Sequence, residues 1–238
     1  MDIENPDIKL GKGVVVFDGE ISQTVTNKKD FQTPHIFPVS VICTLTDDDG
    51  FRDWIGDYSV PGLLKYLLRF DRIVGFNHVK FDFGIMDGAL IREYNTGANE
   101  VMVKMREVLA GYYDIGDRDP EPGMVEKILR GRNIDLHLDI HEFLNKEGYP
   151  WNGRRTGLDA VATGMVGEGK ESSRFKGGAE APKAWRSRLC LEVMAYCRYD
   201  VLRTAQVYVQ LLGGKPLKVS GWPGKGVNEF KPMSLKMR

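Results

Sequence analysis

Gly13-Val14-Val15-Val16-Phe17 cannot lie on a strand with one solvated face. Successive side chains of a strand point to opposite sides, so a run that is apolar throughout needs cover above and below. That places it mid-sheet in a layered α/β architecture, with Asp18 and Glu20 ending the run. Pro38 to Leu45 (PVSVICTL) alternates and is β-branched, so it reads as a second strand. Thr46-Asp47-Asp48-Asp49-Gly50 is a turn, and Phe51 to Trp54 starts a short third strand. Ser59-Val60-Pro61 opens a helix that carries Leu63, Leu64, Leu67 and Leu68 on one side. Arg72 to Phe76 is a further buried strand, followed by Asn77 and a helix to about Arg92. Three strands in a meander, then helix, strand and helix, make a mixed sheet in which a helix crosses over to a parallel strand.

Beyond that, residues 95–132 are helical in pattern but broken by the loop Asp117-Arg118-Asp119-Pro120-Glu121-Pro122-Gly123, and read as an insertion. Asn133 to Leu138 is the last expected strand, with helices over Asp139 to Glu147 and Gly157 to Val166. Glu168 to Ala181 is a flexible, positively charged loop, and a long helix from about Trp185 to Leu212 closes the fold. The expected organisation is one domain over residues 1–212, followed by a basic tail, 213–238, that is partly disordered. A chain of 238 residues is long enough for one large core at roughly 150 residues per domain.

The balance of 33 basic against 33 acidic residues hides an uneven spread. Residues 1–150 hold 17 basic and 26 acidic residues, and residues 151–238 hold 16 and 7. An acidic site facing a basic surface fits that split, with carboxylates for cations and lysines for an anion. No apolar run approaches the ~18 residues of a membrane span. Met1 to Lys12 carries Asp2, Glu4 and Asp7 and lacks the order of a signal peptide. Cys43, Cys190 and Cys197 are too scattered for a disulfide framework or a zinc site, so a reducing, cytoplasmic setting with no membrane partner is expected.

Three clusters carry chemistry. Asp18 and Glu20 are two apart at a strand end, which points both carboxylates to one face. Taken alone the pair reads more readily as a solvated strand end, but two adjacent carboxylates also suit a cation. Asn77 leaves a buried strand and Asp82 falls in the first turn of the next helix, where both also serve as ordinary caps. Tyr196 and Asp200 stand at i and i+4 on one face of the closing helix, which either holds a functional pair or a core Tyr with an Asp at its margin. His137 and His141 have a metal-like spacing but read better as a satisfied polar pair.

Together, Asp18, Glu20, Asp82 and Asp200, with Tyr196 four residues before the last Asp, resemble the tyrosine-bearing branch of the DEDD 3′–5′ exonuclease superfamily. Val15-Val16-Phe17-Asp18, Val74-Gly75-Phe76-Asn77 and Tyr196-Cys197-Arg198-Tyr199-Asp200-Val201 look like its three motifs, and Gly157-Leu158-Asp159 with Ala181 to Trp185 resembles the segment between the second and third. The resemblance is to predicted polymerase-B-type exonucleases over roughly residues 13–212. It implies an α/β, RNase H-like fold with a mixed five-stranded sheet flanked by helices. Residue 195 is Ala, which sets aside the histidine-bearing branch. Ile21 departs from the Thr or Ser usual after the Glu, which puts one substrate contact in doubt.

The resemblance implies two Mg²⁺ or Mn²⁺ ions held by Asp18, Glu20, Asp82 and Asp200, with Tyr196 orienting the attacking water. Hard oxygen ligands favour those ions over zinc. The implied activity is removal of nucleotides from 3′ ends of single-stranded nucleic acid, DNA favoured over RNA. Candidate substrate contacts are Ile21, Asn77, Phe81 and Arg174; Phe81 would stack on a base, and Arg174 belongs to a basic stretch with Lys170, Lys176, Lys183, Arg186 and Arg188. A polymerase, a helicase or a repair protein is the class of partner such an enzyme would serve. The competing readings are a non-catalytic RNase H-like binding module and a metal-dependent endonuclease.

Overall fold

The computed structural model describes residues 8–96, 119–149, 156–167, 175 and 177–238. Its main sheet comprises β1 (Val14–Ile21), β2 (Val39–Thr46), β3 (Gly50–Ile55), β4 (Arg72–Gly75) and β5 (Asn133–Asp135). The spatial order is β3-β2-β1-β4-β5. β2 runs antiparallel to both β1 and β3, whereas β4 is parallel to β1 and to β5. The apolar run is the central strand, as its composition requires. Val14 and Val16 enter one core, and Val15, Phe17 and Ile21 enter the other.

The second of those cores lies under α1 (Val60–Leu67) and α2 (Asp82–Asn95), built from Leu63, Leu64, Phe83, Ile85 and Met86. Each such side chain, fully buried, stabilises the fold by ~1.5–3 kcal/mol. A short helix, α3 (Met124–Ile128), adds Val125 and Ile128 to the same side. The opposite core lies under α4 (Leu136–Lys146), α5 (Leu158–Val166), α6 (Ala181–Arg186) and α7 (Cys190–Leu212). Buried positions of α7 recur at helical spacing through Val193, Tyr196, Cys197, Asp200, Val201, Thr204, Ala205 and Tyr208. This is the RNase H-like arrangement: a mixed five-stranded sheet with helices on both faces.

Two boundaries differ from the sequence expectation. The last strand stops at Asp135 because that carboxylate caps α4, accepting the backbone N–H of His137 and Leu138 at 3.1 and 3.2 Å. The C-terminal stretch, expected to be partly disordered, forms the hairpin of β6 (Pro216–Ser220) and β7 (Val227–Pro232). It packs on α5 with Leu217 and Val219 fully buried, and a Cβ on Gly164 would come within 2.4 Å of the Lys218 carbonyl. Arg238 then pairs its backbone with Asn133 beside β5 and sets its guanidinium against Asp139 and Glu142. Of the expected insertion 95–132, residues 97–118 lie outside the described residues, as do residues 168–174 and Lys176 of the basic loop. Among the described residues no helix is long and apolar enough to cross a membrane.

Candidate active site

The C-terminal end of β1 receives side chains from both faces. Toward α7 it presents Asp18 and Glu20, and α7 answers with Asp200 and, one turn earlier, Tyr196. Asp18, Glu20 and Asp200 each bring an atom within 4.8 Å of the other two, the only such group of metal-ligating side chains among the described residues. The Cys197 thiol donates to the Asp18 carbonyl at 3.3 Å, which ties the helix to the strand between the two motifs. Three carboxylates this close repel one another unless a cation sits among them.

Tyr196 is 4% exposed, and the edge of its ring contact with Phe175 is T-shaped at 5.6 Å. Burial pushes its phenol far up from the ordinary range, and the charges of Asp200, Glu20 and Asp18 push it further. Its hydroxyl donates to Asp200. The side chain is therefore a protonated hydrogen-bonding group beside the carboxylates and cannot act as a base at neutral pH.

From the other face comes Asp82, the first residue of α2. β4 ends at Gly75, and the chain turns through Asn77, whose φ of 68° is left-handed. Asn tolerates that conformation better than most residues. The turn is held by Asp135, which accepts the N–H of Asn77 at 2.9 Å and of Val79 at 3.1 Å besides capping α4. His78 is fully buried between the rings of Phe17 and Phe83, 3.8 Å from Asp135. Burial drives its imidazole down, toward the neutral form, against the opposing pull of Asp135. The outcome is that Asp82 comes down on Gly19, where a Cβ would stand 2.8 Å from its Oδ1. Only the absence of a side chain at residue 19 allows that approach.

Asp82 Oδ1 is buried and has no hydrogen-bond partner in the structure. Burial, and secondarily the charge of Asp135, raise its carboxyl well above the usual range. A buried carboxylate oxygen left without a donor, beside three more carboxylates, fits a hard divalent cation, and the all-oxygen donor set fits Mg²⁺ or Mn²⁺ better than a softer metal.

The structure thus brings Asp18, Glu20, Tyr196 and Asp200 together, and sets Asp82 next to them at Gly19 but outside the group within 4.8 Å. Phe81 is half-buried at the site's edge, its ring 5.8 Å from Phe31. Asn77 contributes the left-handed turn. Ile21 is 5% exposed and packs in the α2-side core, so the side chain expected to meet substrate is instead a core residue. Its parity with Val15 and Phe17 was the signal for that. Arg174 lies outside the described residues. Arg186, on α6, donates to Thr24 in the connection after β1. His137 packs on Phe76 at 5.3 Å and on the His141 ring at 4.3 Å, and His141 Nε2 lies 2.6 Å from the Thr156 hydroxyl. Sequence reasoning missed Asp135; an Asp between a strand and a helix is an N-cap signal, lost here because the strand was extended through it.

Residues 60–215 match a family model described as a predicted 3′-5′ exonuclease related to the exonuclease domain of PolB. The matched span holds Asp82, Tyr196 and Asp200 and begins after β1. No curated protein matches the chain. Among solved structures, the family B DNA polymerase from the hyperthermophilic archaeon Pyrobaculum calidifontis is similar at 18% identity and a TM-score of 0.49. The similarity covers 87% of this chain and 25% of that one, so this chain spans about a quarter of the polymerase's length. On the match over residues 60–215, the chain belongs to the family of predicted 3′–5′ exonucleases related to the exonuclease domain of PolB.

Proposed function

We propose that the protein is a metal-dependent 3′–5′ exonuclease that removes nucleotides from single-stranded 3′ ends, DNA in preference to RNA. The observation that carries this reading is the convergence of Asp18, Glu20 and Asp200 within 4.8 Å. Divalent ions bound there would supply an activated water and neutralise the charge building on the phosphate and the departing 3′ oxygen. Asp18 and Glu20 from β1, Asp200 from α7 and Asp82 from α2 are the residues that would hold them. Tyr196, kept protonated by its buried, carboxylate-lined surroundings, orients the attacking water in line with the scissile bond and leaves the proton to another acceptor. Phe81 offers a face for the terminal base, and Lys183 and Arg186 of α6 are the candidate contacts for the phosphate backbone. A polymerase, helicase or repair protein acting on the same 3′ ends is the class of partner that this role calls for.

The test is a time course on 5′-labelled single-stranded DNA and RNA of one sequence with Mg²⁺, Mn²⁺ or EDTA. A ladder shrinking from the 3′ end, dependent on metal and lowered at least ~100-fold by Asp18→Ala, is the expected result. Intact strands in every condition, with a gel shift retained, would instead make the chain a binding module. Cleavage of a circular strand would make it an endonuclease.

A further inference from the structure

Arg203 is the largest fully buried side chain of the described residues, with 1% of it exposed, on the face of α7 one turn beyond Asp200. A guanidinium keeps its charge in any protein environment, so burying it is costly unless its partners are well placed. A methionine would fill much of the same volume without that cost. What the arginine touches gives the reason for keeping it.

Its Nη1 lies 3.1 Å from Asp159 Oδ1 at the start of α5, and its Nη2 donates to the Tyr199 hydroxyl at 3.0 Å. The guanidinium plane also sits over the Tyr199 ring, 4.0 Å from the centroid. These contacts fix the head group from two sides. They leave it with Nη1 4.0 Å from Asp200 Oδ1, too long for a hydrogen bond but close for a buried pair of charges. Asp159 is 43% exposed, so the partner that shares the interior with the arginine is Asp200.

Asp200 is therefore bracketed along its own helix. Tyr196, one turn before, donates a hydrogen bond to it, and Arg203, one turn after, faces its Oδ1. Without those two neighbours the repulsion of Asp18 and Glu20 would favour a rotamer that turns Asp200 away. We propose that Arg203, tethered by Asp159 and Tyr199, is a positioning residue that holds the Asp200 carboxylate in the metal-binding arrangement of the active site. The proposal rests on the metal-dependent reading above, and it extends the site by a residue pair, Asp159 and Arg203, contributed by α5 and α7. Groups that orient ligating carboxylates from behind change metal affinity by roughly 10–100-fold when removed.

The experiment is Mn²⁺ binding by titration calorimetry on the full chain, carried out on the wild type, Arg203→Lys, Arg203→Met and Asp159→Asn. Circular dichroism confirms folding, and hydrolysis is measured across Mn²⁺ concentrations. Arg203→Met should weaken Mn²⁺ by roughly 10–100-fold, Arg203→Lys by less, and Asp159→Asn by a few-fold. High Mn²⁺ should restore most of kcat, with KM for the strand unchanged. Unchanged Mn²⁺ affinity in folded variants would reduce Arg203 to packing, and tighter Mn²⁺ binding would make it a competing charge; either result overturns the proposal. Should Arg203→Met fail to fold, Asp159→Asn carries the test, because Asp159 is half-exposed and its loss frees the arginine without leaving a cavity. A wild type that binds no Mn²⁺ overturns the metal-dependent reading and the proposal with it, whereas a wild type that binds Mn²⁺ and cleaves, beside variants unchanged in both, overturns the proposal alone.

Discussion

The two faces of β1 hold buried carboxylates by different means. On the α7 face, Asp18, Glu20 and Asp200 stand against one another, with a cationic side chain, Arg203, and a phenol as their company. On the α2 face, Asp135 and Asp87 are each satisfied by backbone amides: four N–H groups for Asp135, and those of Gly123 and Val125 for Asp87. The first arrangement is electrostatically incomplete without a cation and the second is complete without one. Charge waiting for a ligand marks a functional site, and charge already met by amides marks the scaffold that aims it. Asp82 stands at the join, carried by the amide-built turn but left with a buried oxygen, Oδ1, that makes no hydrogen bond.

The sharpest way to break the comparison is to disturb the join alone. Gly19→Ala would put a methyl 2.8 Å from Asp82 Oδ1, 3.2 Å from Ile85 Cδ1 and 3.3 Å from Ile42 Cγ1. Asp82 must yield, while Asp18, Glu20 and Asp200 keep their places. Displacing a reacting-site group by about 1 Å costs on the order of 100-fold in rate. Hydrolysis should fall by that much with a cost in stability of only ~1–3 kcal/mol. An active Gly19→Ala enzyme would show that Asp82 takes no part.

A weaker disturbance acts on the scaffold. In Asp135→Asn the new amide group must turn an N–H toward donors that a carboxylate accepted, leaving at least one buried donor unpaired. That costs ~1–3 kcal/mol. For a chain of this length, each kcal/mol lowers Tm by about 2–4 °C, so a melt should show a drop of roughly 2–12 °C. Mn²⁺ affinity at Asp18, Glu20 and Asp200 should move little, which separates scaffold from site. A shift below one degree would sink the account of Asp135 as the anchor of the turn.

This division also explains what could be read from the sequence. The α7 face was legible because its signals are local: alternation puts Asp18 and Glu20 on one side of a strand, and i, i+4 spacing puts Tyr196 over Asp200. The central strand was legible because an all-apolar run has one place to go. The α2-side anchor was not, since Asp135 acts on amides 58 and 56 residues earlier in the chain. The same holds for Arg203 and Asp159, 44 residues apart. The hairpin after α7 was missed because glycine and proline dominate its composition. Only Leu217 and Val219, alternating between them, mark a strand that buries one side.

The smallest effect is the one that isolates amide compensation from everything catalytic. Asp87 lies on the buried side of α2, where desolvation raises its carboxyl to about 6 in spite of the N–H groups of Val125 and Gly123 that pull it down. Folding thus makes Asp87 a weaker acid than its ordinary value of 3.8. The folded chain binds that proton more tightly than the unfolded chain does. Its contribution to stability is therefore full below about pH 4 and is lost as the pH rises through about 6. Asp87→Asn cannot titrate, and whatever hydrogen bond it forfeits is forfeited equally at every pH. Urea unfolding of both proteins at a series of pH values should show wild-type stability minus variant stability falling by on the order of 1–3 kcal/mol between pH 4 and 7. A flat difference would mean that two amides offset the burial of this carboxylate in full. A difference that rises with pH would mean that they overcompensate. Either would show that amides alone meet the charge at Asp87 in full, and would overturn the reading that its burial outweighs them.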